Sequence, residues 1–412
     1  MVAVPRALYV HIPFCLSLCP YCDFVVLAGR AARGPASRVA ETVRALHVEL
    51  DLRADALAAA GVEAAPLASV YLGGGTPSLL SAEQVDGLLD HAARRFGLAS
   101  DAEVTIEVNP GPADRGDLAG FRAAGVNRVS IGAQSLDAEV LAHLGRRHRP
   151  EDVADTVAAA RAAGFANSNL DLLYDVPGQT PESWQRTLTG AVELDPTHVS
   201  AYALTLDDPE AEGLTGPVGD HLPVTPGARK WRSRARDGQD EDRAADEYAT
   251  ACASLAAAGY RHYELSNWAR PGSESRHNLA YWRRDAHEAL GPGAHAFDGV
   301  SVRRWNAARL DAYLAALLPA EGVAPCLPPG GTDRIDAETA RSEAAILGLR
   351  LDDGITAESA AEPVVAAGIA WALAAGLAER IEREGPRIAL TPRGRLLSNE
   401  VFVRLLPDAD AV

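Results

Sequence analysis

Leu8-Tyr9-Val10-His11-Ile12-Pro13-Phe14-Cys15-Leu16-Ser17-Leu18-Cys19-Pro20-Tyr21-Cys22 joins a strand-like run to a tight loop carrying three cysteines spaced C-x3-C-x2-C. Three thiolates in one loop can hold three irons of a cubane [4Fe-4S] cluster and leave the fourth iron open, where chemistry can start. The spacing alone fits a structural zinc equally well, with His11 as the fourth ligand of a Cys3His set. The choice between them depends on what the rest of the chain brings to this loop.

Working outward, short β-branched runs alternate with longer helical patterns as far as about Leu206. The strands expected are Leu8 to Ile12, Ser69 to Leu72, Val104 to Val108, Arg128 to Ile131, Leu170 to Leu173 and His198 to Leu204. Between the first two, Val39, Val43, Leu46 and Leu50 recur at helical steps, and Ser81 with Gln84 forms a capping box ahead of Val85, Leu88 and Leu89. Such alternation predicts an α/β fold of parallel strands with crossover helices. Six strands rather than eight point to a partial, laterally open (β/α)6 TIM-like barrel. In parallel barrels the loops at the carboxyl ends of the strands share one face, and that face carries the site. The cysteine loop, Gly73-Gly74-Gly75-Thr76-Pro77, Glu107-Val108-Asn109-Pro110, Gln134 and Asp171 all fall there. Taken singly, the glycines also fit a plain tight turn, and Asp171 a capped core acid.

The chain has 412 residues, 47% of them hydrophobic, and five cysteines. Cys252 and Cys326 show no pairing pattern, which argues against a disulfide framework and for a reducing, cytoplasmic setting. Met1 to Arg6 leads into the first strand without a signal-peptide pattern. No apolar run reaches the roughly 18 residues a membrane span needs, so no transmembrane segment is expected, which leaves peripheral membrane contact open. A formal net charge of -17 argues against a nucleic-acid partner. Four regions are expected: the partial barrel over 1–206, a flexible linker or insertion over 207–242, a region over 243–320 packing on the barrel, and a C-terminal helix-plus-hairpin domain over 321–412. The basic run Arg229, Lys230, Arg232, Arg234 and Arg236 reads as a solvated, mobile segment of the linker. The last region pairs helices with a hairpin around Gly385-Pro386 and looks winged-helix-like. In so acidic a chain a lid or docking role suits it better than DNA binding.

The ordered series Tyr9-x-His11-Ile12-Pro13-Phe14-Cys15, Cys19, Cys22, Gly73-Gly74-Gly75-Thr76-Pro77, Glu107-x-Asn109-Pro110, Gly132-x-Gln134-Ser135, Leu144-x-Arg146-x-His148, Asn169-x-Asp171-Leu172 and Pro177-Gly178-Gln179-Thr180 resembles the radical S-adenosylmethionine (SAM) family. Within it the chain resembles the branch of oxygen-independent coproporphyrinogen dehydrogenases and their haem-chaperone relatives. The resemblance implies that Cys15, Cys19 and Cys22 hold a [4Fe-4S] cluster whose open iron is chelated by SAM, which an electron cleaves to methionine and a 5'-deoxyadenosyl radical. It further implies that the glycines at 73 to 75 leave room for the backbone to approach the methionine moiety, that Gly74, Gly75, Thr76 and Gln134 belong to the cofactor site, and that Glu107 and Asp171 accept hydrogen bonds from ribose hydroxyls or the amino group. Arg146 is implied to pair with the carboxylate, and Tyr9 and Phe24 to flank the cysteine loop and shield the cluster.

Two features separate the branches. The dehydrogenases carry a fourth cysteine two positions after the third, where this chain has Phe24. Arg276-His277-Asn278-Leu279-Ala280-Tyr281-Trp282 then matches the HNxxYW pattern of the HemW-type chaperones, as do Glu264 to Gly272 and Gly291-x-Gly293-Ala294-His295. This resemblance implies haem as cargo, handed to an acceptor haem protein, in preference to porphyrinogen oxidation. His277 offers an imidazole for iron, with Asn278 beside it, and on a helix Tyr281 stands one turn away. Tyr281 and Trp282 supply flat apolar surface for a porphyrin. Read without the family, the same residues fit an amphipathic surface helix with a buried aromatic pair. His262 and His295 read as structural or loop histidines.

Overall fold

Residues 3–63 and 65–407 are described by a computed structural model. The six expected strands form as β1 (Ala7–Ile12), β2 (Leu67–Gly74), β3 (Leu98–Val108), β4 (Arg128–Gln134), β5 (Asn167–Tyr174) and β6 (His198–Ala203), hydrogen-bonded in that order and all parallel. A seventh parallel strand, β7 (His287–Leu290), pairs with the free side of β1. Its sequence His-Glu-Ala-Leu carries no β-branched residue, and it forms because β1 offers an open edge. Antiparallel strands continue the sheet at both ends, Asn267–Ala269 and Arg261–Glu264 beyond β6, and His295–Phe297, Val302–Asn306 and Gly330–Arg334 beyond β7. The outermost strands do not pair with each other, so the barrel stays open.

The two faces of the sheet differ in chemistry. Val104, Ile106 and Val108 of β3, and Leu170 and Leu172 of β5, join the large apolar core shared with the covering helices. The alternate positions Thr105, Glu107, Asn169 and Asp171 face inward, as the period of two requires. Helix α1 (Val39–Ala59) buries Val43, Leu46 and Leu50 in that core, and α2 (Ala82–Phe96) starts at the expected box, with Ser81 and Gln84 capping each other.

The stretch expected as a flexible linker is instead structured. Thr225 caps α3 (Pro226–Arg236), with a proline in its first turn, and Ala228, Arg232 and Ala235 are buried along one side. Spacing of i, i+4 and i+7 places those three on one helical face, which outweighs the positive charge of the run. The boundary near residue 321 also shifts, because Gly330–Arg334 belongs to the large sheet. Beyond it, Ala337–Arg350 and Pro363–Ala374 pack with the hairpin Ala378–Glu382 and Pro386–Leu390 around a separate apolar core. The single last helix expected over Arg393 to Leu405 divides into Pro392–Leu396, Ser398–Phe402 and a 3-10 turn, broken at Leu397 (φ -102°, ψ 29°).

Glu49 of α1 is wholly buried. One carboxylate oxygen accepts from Arg53 (3.2 Å) and Asn306 (2.8 Å), and the other from the Gly291 amide (2.9 Å) and the Tyr313 hydroxyl (2.7 Å). This one side chain ties the first crossover helix to both sides of the hairpin that follows β7. Replacing Glu49 with Ala strands a buried guanidinium, a hydroxyl and an amide, and should destabilise the protein by about 3–5 kcal/mol. Urea unfolding checks this, with Glu49→Gln expected to lose less because it keeps one acceptor oxygen.

Candidate cofactor site

At the carboxyl ends of the parallel strands lies a cavity of about 540 Å³, lined by all three loop cysteines and by Gly74, Gly75, Glu107, Gln134, Arg146, Asp171 and Asn278. Its size suits a cofactor of the bulk of a nucleoside. The sequence motifs meet there as one polar chain. Cys15 Sγ lies 3.1 Å from Thr76 Oγ1, which accepts from Asn109 (2.8 Å), whose carbonyl accepts from Arg146 Nη2 (2.6 Å). Arg146 also donates to the Gly132 carbonyl (2.9 Å) and to Cys19 Sγ (3.6 Å). The ends of β1 to β4 are thus stitched together through side chains that begin and end on cysteine sulfur.

The two inward carboxylates are half-buried at the cavity wall. Glu107 accepts from Tyr71 (2.9 Å) and from the Gly74 amide (2.9 Å), and Asp171 accepts from Ser130 (2.9 Å) and Asn169 (2.8 Å). Burial, and then the nearby Asp171 charge, push Glu107 up to about 7; burial also raises Asp171. The glycine run is forced by packing. Gly74 has φ +107°, and a Cβ there would stand 2.4 Å from the His11 ring, while one on Gly75 would meet the Phe14 carbonyl at 2.7 Å. Gln134 itself adopts a left-handed φ of 64°, a strained position for a non-glycine residue at a site wall.

The zinc alternative loses its fourth ligand here. His11 Nε2 is bonded to the Val25 carbonyl (2.8 Å) and Nδ1 to Tyr9 (3.0 Å), away from the sulfurs. Among the described residues no three donor side chains stand close enough to hold a single ion. A cubane does not ask that of them, since each thiolate takes its own iron. Burial pushes the thiol of Cys15 up to about 11 and that of Cys22 up to about 12.

Three expected placements change. Tyr9 does not flank the cysteines; it points into the barrel, with Tyr71 and His277 beside it (ring centroids 6.2 and 6.4 Å). Arg146 is a half-buried strut with both terminal nitrogens engaged, while its Nε has no partner among the described residues. The third change concerns α4 (Arg276–Trp282), which closes the opposite end of the barrel. His277 is buried, with Nδ1 bonded to Ser69 (2.9 Å) and Nε2 to Tyr281 (2.8 Å), and its amide donates to Glu103 (3.1 Å). Burial pushes its imidazole down to about 3. Neither nitrogen is free for iron. Asn278 reaches the floor of the cavity, whereas Trp282 lies at the far end of α4 under Arg350 (4.3 Å from the guanidinium carbon to the ring centroid). Phe24 does stand at the cysteine loop, 64% exposed.

Arg232 was hidden in the basic run. Only 4% exposed, it donates to the carbonyls of Pro20 (3.1 Å), Tyr21 (3.4 Å) and Cys22 (2.9 Å) and to that of Asp207 (2.7 Å), and pairs with Asp23. One guanidinium therefore holds most of the loop's C-terminal half. The threonine-proline cap before Ala228, Trp231, Arg232 and Ala235 was the signal that could have revealed it.

The pattern of the Radical SAM superfamily matches residues 9–189. A protein of Mycobacterium tuberculosis named heme chaperone HemW is 39% identical over 404 residues, covering 98% of this chain and 95% of its own. The chain belongs to the HemW family. Heme chaperone HemW of Bacillus subtilis is 32% identical over 403 residues (96% and 98% covered), and that of Escherichia coli 38% over 291 residues (71% and 70%). Coproporphyrinogen III oxidase HemN of Escherichia coli, a radical SAM enzyme, has a similar fold, with a TM-score of 0.76 at 23% identity over 98% of this chain and 90% of that one. Membership of this family brings a [4Fe-4S] cluster and SAM as cofactors, and the three thiols that would hold the cluster line the cavity.

Replacing Arg232 with Ala should release the cysteine loop and lower the iron retained per chain after anaerobic reconstitution, with far-UV circular dichroism unchanged. Glu107 yields a pH prediction. Because its carboxyl is held up to about 7, it is largely protonated at pH 6 and charged at pH 8. Affinity of the reconstituted HemW-family chain for cationic SAM should rise across that interval, measured by equilibrium dialysis, and the rise should vanish in Glu107→Gln.

Proposed function

We propose that this chain is a cytoplasmic haem chaperone, which binds haem, holds a [4Fe-4S] cluster with SAM, and hands haem to an acceptor haem protein. The observation that carries this reading is the pairing of a complete three-cysteine cavity with phenylalanine at position 24. Near-full-length likeness to proteins named heme chaperone HemW supports it. All five cysteines are free thiols, in keeping with a reducing compartment, and no helix among the described residues is long and apolar enough to cross a membrane.

Cys15, Cys19 and Cys22 would each hold one iron of the cluster, in a cavity also lined by Glu107 and Asp171. When bound, the cluster and SAM supply one-electron chemistry at this wall. Glu107 and Asp171 present acceptors to the ribose hydroxyls or the amino group, Gly74, Gly75 and Thr76 lie along the methionine moiety, and Gln134 completes the wall. Arg146 keeps positive charge beside Cys19, which offsets the negative charge of a thiolate-ligated cluster. His277, with both nitrogens bonded, acts in the barrel floor rather than on the haem iron.

Anaerobic reconstitution followed by haem titration tests the proposal. Stoichiometric haem uptake with no turnover of coproporphyrinogen III is the expected result, and Cys19→Ala should lose the iron-sulfur absorbance. Turnover of coproporphyrinogen III would instead make the chain an oxidative enzyme of the kind represented by HemN.

A further inference from the structure

Between the C-terminal end of α4 and the C-terminal domain runs a groove of about 790 Å³ that shares no lining residue with the cofactor cavity. Its volume lies in the range of sites that take a large organic ligand. Five arginines line it, Arg261, Arg283, Arg284, Arg383 and Arg387, against two carboxylates, Asp353 and Glu384. In a chain of net charge -17 that is a local reversal of sign, which marks the groove for an anion. Trp282, Leu351 and Ile355 line the same groove and set apolar surface beside the charge.

The arginines divide by how their charge is met. Arg284 pairs with Glu343, Arg383 donates to Asp352 (2.6 Å) and Asp353 (2.7 Å), and Arg261 lies 3.3 Å from Glu274. Arg387 is held by backbone instead, its Nε donating to the Asp353 carbonyl (2.7 Å) and its Nη2 to the Gly354 carbonyl (2.9 Å). That fixes the guanidinium but leaves its charge without a carboxylate and its Nη1 without a partner among the described residues. Arg283, exposed just past the end of α4, makes no side-chain hydrogen bond or ion pair among the described residues. Two uncompensated guanidiniums beside an aromatic ring suit a ligand with two carboxylates and a flat apolar body. Haem is such a ligand, with its two propionates on one edge of the macrocycle. No histidine, cysteine, methionine or tyrosine is among the lining residues, so the groove offers the iron no side-chain ligand. A cargo gripped by its propionates and its face keeps its iron free for the ligand of an acceptor.

We infer that haem is carried in this groove, with its propionates on Arg283 and Arg387 and its macrocycle against Trp282, Leu351 and Ile355. The inference rests on the haem-chaperone reading and gives it a site. Of the motif on α4, Trp282 then meets the cargo, while His277 and Asn278 serve the barrel.

Three ligands titrated into the full-length reconstituted protein test it: ferric haem followed by Soret absorbance, and iron-free protoporphyrin IX and its dimethyl ester followed by fluorescence anisotropy. Protoporphyrin IX should bind about as tightly as haem and compete with it. Its dimethyl ester, which lacks both carboxylates, should bind at least about tenfold more weakly, as expected for the loss of charge-assisted hydrogen bonds. Arg283→Glu and Arg387→Gln should each weaken haem and protoporphyrin IX by about tenfold or more, and Arg283→Lys should lose less because it keeps the charge. Arg283 has no partner to lose, so its variants leave the fold intact, and an unchanged thermal melt checks the C-terminal domain in Arg387→Gln. Unchanged affinity in either arginine variant, equal binding of the dimethyl ester, or uptake of haem but not of protoporphyrin IX would overturn the groove as the site while leaving haem binding intact. Absence of haem uptake by the wild type would overturn the chaperone reading itself.

Discussion

Arg146 makes one rim out of four separate strand ends. Its guanidinium draws in Asn109, the Gly132 carbonyl and Cys19, and Asn109 passes the constraint through Thr76 to Cys15. A guanidinium drawn partly out of water needs acceptors, and here those of its two terminal nitrogens come from consecutive loops. Moving any one strand end would leave a polar group unpaired out of water. Spacing between two of the cysteine sulfurs is therefore set by the barrel as a whole.

A second guanidinium completes the constraint from outside. Arg146 governs the loop on its cavity side, and Arg232 grips the backbone carbonyls on the other. Bracketed this way, a loop rich in apolar and sulfur groups keeps one shape with no regular secondary structure beyond the two-residue pairing of Phe14–Cys15 with Leu27–Ala28. The helix that carries Arg232 also buries Ala235 among Leu173, Leu204 and Leu206, so the inserted segment is anchored by apolar contact near the ends of β5 and β6.

The parallel strands and the cofactor rim were legible because their signals are local: β-branched runs mark strands, and glycine, asparagine and cysteine at strand ends mark loops. Strand β7 was not, since His287-Glu288-Ala289-Leu290 has no strand preference and is recruited by the exposed edge of β1. The basic helix was hidden because net charge spoke louder than the cap and the buried spacing of Ala228, Arg232 and Ala235. His277 shows a different limit. Periodicity correctly put it one turn from Tyr281, but no sequence pattern tells which face of a short helix another element will cover, and here Ser69 and Glu103 cover it.

The short helix α4 touches two worlds at once. Asn278 lies at the floor of the cofactor cavity and Trp282 lies beneath Arg350 of the C-terminal domain, only four residues apart. At 1.5 Å per residue that is about 6 Å of axial rise, too short for a bend to absorb movement. The helix is in effect a short rigid tie between the floor of the cofactor cavity and the C-terminal domain.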